Sequence, residues 1–274
     1  MSKKAGVMGW PVAHSKSPRL HGYWLKHYSI DGSYVHFPVA PNDLADALST
    51  LAANGFAGVN LTVPHKEAAV ALVDEVSPQA ARIGAINTIF IKNGRLTGTN
   101  TDAYGFMAAL EAGAPAYDLK SGPAVVIGAG GAARAVCFAL QDAGCPDIRL
   151  VNRTLARAQA LAHDFGKPVS AHDWHTRNQS LSDAKLVVNC TTMGMAGQAP
   201  LDLDLALLPS SAVVNDIVYT PLETPLLAMA RARGNVAVDG LGMLLYQAQA
   251  GFEGWFGVKP EVTPELRAYV LSAS

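Results

Sequence analysis

The sequence has little of what marks secreted, metal-binding or membrane proteins. Its 274 residues include three cysteines, an odd number without C-x-x-C spacing, so neither a disulfide framework nor a cysteine-rich metal site is expected. No apolar run is long enough to span a bilayer, and Met1 to Lys4 leads into a strand without a signal-like apolar segment. We therefore expect a cytoplasmic protein that does not bind membranes.

Excess charge is also missing. The formal net charge is −1, so no overall field would attract nucleic acid or an anionic surface, and neither is expected as a partner. His172 and His175 have the spacing of a metal pair, but no further ligands accompany them, and we expect no metal. Half of the residues are hydrophobic, which suffices for a large core in one large or two modest domains.

One glycine-rich stretch organises the second half of the chain. An apolar run over 124–127 predicts a buried strand, and a helix with an apolar face follows the glycines. The turn between them consists of Gly128, Ala129, Gly130, Gly131 and Ala132. Free N–H groups and the dipole at the start of the helix would stabilise a diphosphate. By itself the motif is also compatible with a turn that serves only backbone geometry.

The end of the next predicted strand, 148–151, favours a particular cofactor. In a dinucleotide-binding fold, an acidic residue at this point would bind the ribose 2′-hydroxyl of NAD. This chain has Asn152, Arg153 and Thr154 there, with Arg157 one helical turn later. Two guanidinium groups and a hydroxyl suit a 2′-phosphate, so the pattern predicts NADP. The alternative is that both arginines are solvated surface charges.

Strand and helix signals alternate from 148 to 238, which predicts a parallel sheet with helical crossovers. Ligands bind beyond the carboxyl ends of such strands. A pair of glycines at 240 and 242 would let a flat ring approach a long helix, although a plain core helix is the alternative. The further candidate cofactor residues are Thr191, Thr192, Met193, Ile217, Gly240 and Met243.

Two serines mark the start of the first predicted helix, 17–27. Ser17 is predicted to be its N-cap, with Pro18 at the first helical position. Together with Lys16 and the free N–H groups, Ser15 and Ser17 could bind a carboxylate. Capping and ligand binding are equally good interpretations of Ser17, whereas the cap does not require Ser15, which we interpret as a ligand residue.

A predicted strand over 58–63 ends at a second corner, where a helix is predicted to begin at Pro64. Asn60 and Thr62 would share one face of that strand. Lys66 would lie in the first helical turn, where the helix field opposes its charge and favours the neutral amine, a state suited to proton transfer. The alternative is an ordinary surface lysine.

Two polar residues follow within the next forty positions. A hairpin is predicted through Lys92-Asn93-Gly94, and Asn87 lies where its amide could face the same site as Lys66. Asp102 precedes a helix, so it could cap that helix or hold the amine of Lys66 in place. A lysine and a carboxylate in contact would form a proton-transfer pair.

Taken together, these motifs resemble shikimate dehydrogenase over nearly the whole chain. The matching stretches are G-W-P-V-A-H-S-K-S-P-R-L-H, N-L-T-V-P-H-K-E, G-A-I-N-T, N-T-D-A-Y-G, G-A-G-G-A-A-R-A, N-R-T, Y-T-P-L-E-T-P-L-L and D-G-L-G-M-L-L-Y-Q. Two positions depart from the family's usual residues: Gly22 stands where Asn is common, and Cys190 where Ala or Thr is common.

The resemblance implies an α/β protein with a substrate domain over 1–101, completed by 240–274, and a Rossmann-type NADP-binding domain over 102–239, with a cleft between them. It implies that NADPH reduces 3-dehydroshikimate to shikimate, a step towards aromatic amino acids. Lys66 and Asp102 would be the catalytic pair. The implied substrate-binding residues are Ser15, Ser17, Asn60, Thr62, Lys66, Asn87, Asp102, Tyr219 and Gln247.

Other functions stay open at this stage. A quinate/shikimate dehydrogenase that prefers NAD would share the chemistry, but the residues over 152–157 argue against it. A dinucleotide-binding homologue without activity, or a methyltransferase that uses the glycine turn, would have a similar fold. The expected partner is a small-molecule substrate, and the chain would act as a monomer or homodimer.

Overall fold

The computed structural model describes residues 3–272 and divides the chain into two units. One unit contains the chain up to Asp102 and again from Leu244 onward, and the other runs from Ala103 to Met243. Each unit has its own six-stranded sheet. Within the described part of the chain, no helix combines the length and the apolar character that crossing a membrane requires.

Strands and helices alternate along much of the chain. The strands are β1 (Lys3–Gly9), β2 (Gly32–Pro38), β3 (Phe56–Leu61), β4 (Glu75–Val76), β5 (Thr88–Lys92), β6 (Arg95–Thr99), β7 (Ala124–Ile127), β8 (Ile148–Asn152), β9 (Val169–Asp173), β10 (Leu186–Asn189), β11 (Val213–Asp216) and β12 (Val236–Val238). The helices are α1 (Ser17–His27), α2 (Leu44–Ser49), α3 (Pro78–Ile83), α4 (Asp102–Gly113), α5 (Gly131–Asp142), α6 (Leu155–Phe165), α7 (Pro225–Ala232), α8 (Leu241–Phe256) and α9 (Pro264–Leu271).

The sheet of the first unit is mixed, with the order β2-β1-β3-β5-β6-β4. Strand β1 pairs in parallel with β2 and β3, whereas β3, β5 and β6 pair antiparallel. The predicted hairpin joins β5 and β6, and both Asn93 and Gly94 have positive φ, 52° and 76°. Two successive left-handed residues are typical of the tight turn that suits the twist of paired strands.

The sheet of the second unit is entirely parallel, with the order β12-β11-β10-β7-β8-β9. Numbered within this unit, that order is 3-2-1-4-5-6 when read from β9, which is the Rossmann arrangement. Strands β7, β10 and β11 are buried along their whole length, as expected when helices cover both faces of a sheet. The strand order reverses between β7 and β10, where such folds bind ligands.

Several predicted elements differ from the structure. The segment after Pro41 forms a 3-10 turn over Pro41–Asp43 followed by the short α2, and β9 was not predicted. The helix predicted from Pro64 does not form, and only a 3-10 helix over Ala68–Ala71 follows. Its physical cause is tertiary: the Lys66 carbonyl accepts from the Ile86 N–H at 2.7 Å, so it is taken by another segment.

His21 lies at the centre of an aromatic cluster in the first unit. Its ring stacks on Tyr34 with centroids 3.9 Å apart, and the ring centroids of Trp24 and Phe252 lie at 5.7 and 5.8 Å. The side chain is fully buried, and within the described residues neither ring nitrogen has a hydrogen-bond partner. Burial lowers the pKa of His21 from 6.5 to about 3, because a charged imidazole would lose its hydration.

This burial predicts a loss of stability in acid. Between pH 6.5 and pH 3 the unfolded chain takes up a proton at His21 that the folded chain refuses, so the free energy of unfolding falls as the pH falls. The contribution of one such group is about 1.4 kcal/mol per pH unit. Urea unfolding from about pH 7.5 to about pH 4.5 should therefore show a shallower acid dependence for His21→Leu than for the wild type. The exposed His14→Leu should keep the wild-type slope, and an unchanged slope in His21→Leu would contradict the account.

Candidate active site

An ion pair between Lys66 and Asp102 forms the centre of the polar site in the first unit. Nζ of Lys66 lies 2.5 Å from Oδ2 of Asp102, and Nδ2 of Asn87 donates to the other carboxylate oxygen at 2.8 Å. Asp102 and Asn87 are buried, while the lysine side chain keeps 15% of its surface exposed. Each carboxylate oxygen thus has one partner within the protein, and the amine is the more accessible member of the pair.

The strand order of the first sheet brings these three residues together. Lys66 follows the end of β3, Asn87 precedes the start of β5, and Asp102 follows the end of β6. Because β5 is antiparallel to both of its neighbours, these three points lie at the same edge of the sheet. Asp102 opens α4, and its N–H donates to Oδ1 of Asn100 at 3.0 Å. The Lys66 charge is therefore held by a carboxylate, and the helix-dipole argument does not apply, since no helix begins at Pro64.

Asn87 connects this pair to the rest of the site. Its Oδ1 accepts from the backbone N–H of Thr101 at 2.8 Å and from the hydroxyl of Thr88 at 3.0 Å. A backbone donor fixes which end of the amide is oxygen, so Nδ2 must face the acceptors Asp102 and Gln247. Oε1 of Gln247, on α8, lies 3.2 Å from Nδ2 of Asn87. Lys66, Asn87, Asp102 and Gln247 thus form one connected network.

Asn60 belongs to the same network and also bonds Tyr34, a residue that the sequence did not single out. The Tyr34 hydroxyl donates to Oδ1 of Asn60 at 2.6 Å, and Nδ2 of Asn60 donates to the Asn87 carbonyl and the Thr88 hydroxyl. Burial raises the pKa of Tyr34 well above its usual value. The signal that could have found Tyr34 is chemical: a buried tyrosine needs a partner for its hydroxyl.

The structure contradicts one of the two predicted roles of Ser17, that of an N-cap. Helix α1 begins at Ser17 and makes no side-chain capping bond, so Ser17 is not an N-cap. Instead Oγ of Ser15 accepts from the N–H of Ser17 at 3.3 Å and lies 3.2 Å from its hydroxyl. Lys16 points elsewhere, because its Nζ donates to the Val270 carbonyl at 3.1 Å. The Ser15 hydroxyl therefore contacts the backbone of the first helical residue.

Two other predicted substrate residues lie on separate segments. Thr62 follows β3, is partly exposed and donates its backbone N–H to the Met8 carbonyl at 2.8 Å. Tyr219 belongs to the second unit. Their substrate contacts stay predictions.

In the second unit, the glycine turn has the geometry of an anion cradle. Gly128 follows β7 with φ +112°, a conformation that favours glycine, and its N–H donates to the Val151 carbonyl at 2.8 Å. Gly130 is the N-cap of α5 and offers no capping side chain. A Cβ added at Gly130 would meet no atom within 4 Å. The Cβ position of Gly130 is therefore open, at the start of a helix whose first N–H groups have no intrahelical partner, and such a start suits a diphosphate.

The region after β8 fits a 2′-phosphate. Asn152 ends the strand, and its Nδ2 donates to the Thr154 carbonyl at 2.9 Å. Thr154 is the N-cap residue of α6 without a side-chain capping bond, and the first turn of that helix contains no acidic residue. Arg153, Thr154 and Arg157 are exposed. Exposed guanidinium groups at the start of a helix suit a phosphate ligand.

The remaining candidate cofactor residues lie in the second unit, and several of them already make contacts within the protein. A Cβ at Gly240 would lie 2.2 Å from the Ile217 carbonyl oxygen, so the close approach that Gly240 permits is that of the chain itself. Met193 is partly buried against the apolar core under the sheet, and Met243 is buried. Thr191 is bonded to Asn189 at 2.8 Å, while Thr192 is exposed.

Each unit matches a known protein family model. A family model described as the shikimate dehydrogenase substrate binding domain matches residues 7–89, and one described as shikimate / quinate 5-dehydrogenase matches residues 111–196. The shikimate dehydrogenase (NADP(+)) of Paramagnetospirillum magneticum is 59% identical over 272 residues, which covers 99% of each chain. That of Rhodospirillum rubrum is 56% identical over 98% of this chain and 97% of its own.

Solved structures are similar over the same length. Shikimate 5-dehydrogenase from Thermus thermophilus in complex with NADP(H) and shikimate has a TM-score of 0.86 and 41% identity, and the match covers 98% of each chain. Quinate dehydrogenase from Corynebacterium glutamicum in complex with NAD has a TM-score of 0.90 and 34% identity over 99% of each chain. Proteins that bind NADP and NAD thus share this fold, so the fold alone does not select the cofactor.

Two glycine substitutions test the cradle. Gly240→Ala should lower the free energy of unfolding by about 1 to 3 kcal/mol, because the new methyl overlaps the Ile217 carbonyl. Gly130→Ala should lower it by at most about 1 kcal/mol, the preference for glycine over alanine at an N-cap, since its methyl enters open space, yet it should weaken binding of a dinucleotide. Urea unfolding and calorimetric titration with NADP+ measure both effects. Equal affinity of Gly130→Ala and the wild type would mean that the space does not hold the diphosphate.

Proposed function

The chain belongs to the shikimate dehydrogenase family, and from this we propose that it is an NADP-dependent enzyme that interconverts 3-dehydroshikimate and shikimate. The observation that carries the proposal is the Lys66–Asp102 pair, held by Asn87 at the edge of the sheet in the first unit. A partly exposed ammonium group beside a buried carboxylate is suited to proton transfer at a substrate oxygen.

We propose that Lys66 donates a proton to the oxygen at C3 of the substrate as the ketone becomes an alcohol, and that it accepts this proton in the reverse direction. Asp102 keeps the ammonium group in place, because its two oxygens are bound by Lys66 and Asn87. NADPH supplies the hydride when it is bound. The contribution of the protein is chiefly positioning: a fixed donor and fixed amides meet the substrate in one geometry.

The other polar residues of the first unit would orient the substrate. The hydroxyls of Ser15 and Ser17 are proposed to bind the carboxylate, and Thr62, Asn87 and Gln247 the ring hydroxyls. Asn60 already uses three hydrogen bonds within the protein, so its contribution to substrate binding is through its remaining acceptor capacity and through the position of Thr88. Asp102 and Tyr219 are proposed to complete the set.

For the cofactor, we propose that the glycine turn from Gly128 to Ala132 binds the diphosphate through N–H groups. Arg153, Thr154 and Arg157 would bind the 2′-phosphate beside Asn152. The rest of the cofactor would contact residues after β10, after β11 and at the start of α8. These are Thr191, Thr192, Met193, Ile217, Gly240 and Met243. The support is the basic, acid-free start of α6 and the open space at Gly130.

The cofactor assignment predicts a preference that one assay can measure. Nicotinamide absorbance with shikimate and quinate, each against NADP+ and NAD+, should give the highest kcat/KM for shikimate with NADP+. Arg153→Ala should raise KM for NADP+ by about 10- to 100-fold, which is the loss of one charge-assisted contact, and leave KM for NAD+ unchanged. A wild type that prefers NAD+, or a variant that loses both cofactors equally, would contradict the 2′-phosphate site.

The proton-transfer role predicts a selective loss of turnover. Lys66→Ala should lower kcat by about 100- to 10,000-fold, the usual contribution of a general acid, while KM for shikimate changes only a few-fold. Steady-state kinetics with NADP+ measure both constants. Lys92→Ala, which removes an exposed lysine from the β5–β6 hairpin of the same unit, serves as the control and should retain wild-type kcat. A Lys66→Ala enzyme with near-normal kcat would remove Lys66 from the chemistry.

A further inference from the structure

The second unit contains a buried carboxylate that the proposed reaction does not use. Asp216 ends β11 and is fully buried. Its Oδ1 accepts from Nδ2 of Asn189 and from the Val218 N–H, both at 3.0 Å, and its Oδ2 accepts from the Thr224 hydroxyl at 2.7 Å. All three donors are neutral. A buried charge held only by neutral donors is costly, so its contacts need an explanation.

On one side, Asp216 is linked through Asn189 to residues 191–193, the segment after β10. Nδ2 of Asn189 donates to Asp216 and also to the Met193 carbonyl at 3.1 Å. Oδ1 of Asn189 accepts from the N–H and the hydroxyl of Thr191 at 3.0 and 2.8 Å, and the Thr191 hydroxyl accepts from the Met193 N–H. Since the carboxylate fixes the orientation of the Asn189 amide, it also fixes the backbone from Thr191 to Met193.

On the other side, Asp216 controls the segment after β11. Its bond to the Val218 N–H sets the turn that contains Ile217. Thr224 links the carboxylate to α7, because its hydroxyl also accepts from the Leu227 N–H at 3.3 Å as the N-cap of that helix. Two chain segments that follow neighbouring strands are therefore fastened to one side chain. Burial raises the pKa of Asp216 to about 6, which agrees with the cost of this arrangement.

The location of these segments indicates their purpose. A Rossmann sheet consists of two mononucleotide-binding halves. The half made of β7, β8 and β9 contains the glycine turn and the basic start of α6, which together suit the diphosphate and the adenosine 2′-phosphate. Strands β10, β11 and β12 form the other half, so the segments that Asp216 fastens belong to the half left for the nicotinamide nucleotide.

We propose that Asp216, through Asn189 and Thr224, is the positioning residue for the nicotinamide half of the cofactor. This inference rests on the proposed NADP binding. Asp216 itself is buried beneath the backbone and acts through the segments after β10 and β11. Its removal should weaken the binding of ligands that contain nicotinamide and leave unchanged the binding of ligands that occupy only the adenosine half.

Calorimetric titration of the full chain with NADP+ and with 2′,5′-ADP, which lacks nicotinamide, tests the inference. Asp216→Ala should lower the affinity for NADP+ by at least about 10-fold and change the affinity for 2′,5′-ADP by less than about twofold. The reason is that three hydrogen bonds are lost, all of them in the nicotinamide half. Asp216→Asn can accept at Oδ1 and donate to the Thr224 hydroxyl, so it should restore most of the NADP+ affinity.

Thr224→Val provides a milder variant in case Asp216→Ala does not fold. It removes one hydrogen bond to the carboxylate and one helix cap. It should lower the affinity for NADP+ by about 2- to 10-fold without changing the affinity for 2′,5′-ADP. Thr263→Val is the matched control, since Thr263 caps α9 by accepting from the Leu266 N–H at 3.2 Å and is likewise followed by proline. It should lose similar thermal stability and keep wild-type affinity for NADP+.

The outcomes separate this inference from the proposed function. If the wild type binds NADP+ and oxidises shikimate but Asp216→Ala and Thr224→Val bind NADP+ normally, the inference is overturned and the function stands. Equal losses of affinity for NADP+ and 2′,5′-ADP would also overturn it, because Asp216 would then support the second unit as a whole. A wild type that does not bind NADP+ would overturn both.

Discussion

The contact on which the first unit depends is the ion pair between Lys66 and Asp102. A pair this far removed from water loses hydration on both members, and attraction between the charges offsets that loss only when the remaining oxygens and protons are also bound. Asn87 meets this requirement at the carboxylate, and its own amide is fixed by the Thr101 backbone. Removing one member would leave an uncompensated charge at a buried position.

This requirement explains why so many amides surround the pair. Asn60, Asn87 and Gln247 are all hydrogen-bonded within the protein, so every amide has one orientation. Val59 and Leu61, the strand neighbours of Asn60, pack in the apolar core of the same unit. Rigid packing of the strand and hydrogen bonding of the amides limit side-chain freedom, and a substrate would meet donors and acceptors that are already in place.

The second unit follows a different physical rule. Its parallel strands are held by crossover helices, and the carboxyl ends of the strands lie at one edge where helix N-termini and loops collect. Some positions at this edge are left open, as at Gly130, and others are filled by the chain itself, as at Gly240. Glycine is suited to both cases, because it leaves space at Gly130 and permits close backbone packing at Gly240.

Sequence alone was sufficient where the signal is local. The hairpin through Asn93 and Gly94, the glycine turn after β7 and the helix at Pro18 depend on the conformational preferences of a few adjacent residues. The resemblance to a family also named Lys66 and Asp102 as a pair, and the structure has them in contact.

Only the tertiary structure decided which polar groups meet. The partners Tyr34 and Asn60 are 26 positions apart, Lys66 and Asp102 are 36 apart, and Asn87 and Gln247 are 160 apart. Strand order brings these residues together, and no local preference encodes strand order. The same cause abolished the helix predicted at Pro64 and concealed the role of Asp216, whose partners lie on separate elements. Turn geometry in three dimensions likewise placed the Ser15 hydroxyl against the Ser17 N–H, and it left Ser17 without a capping role.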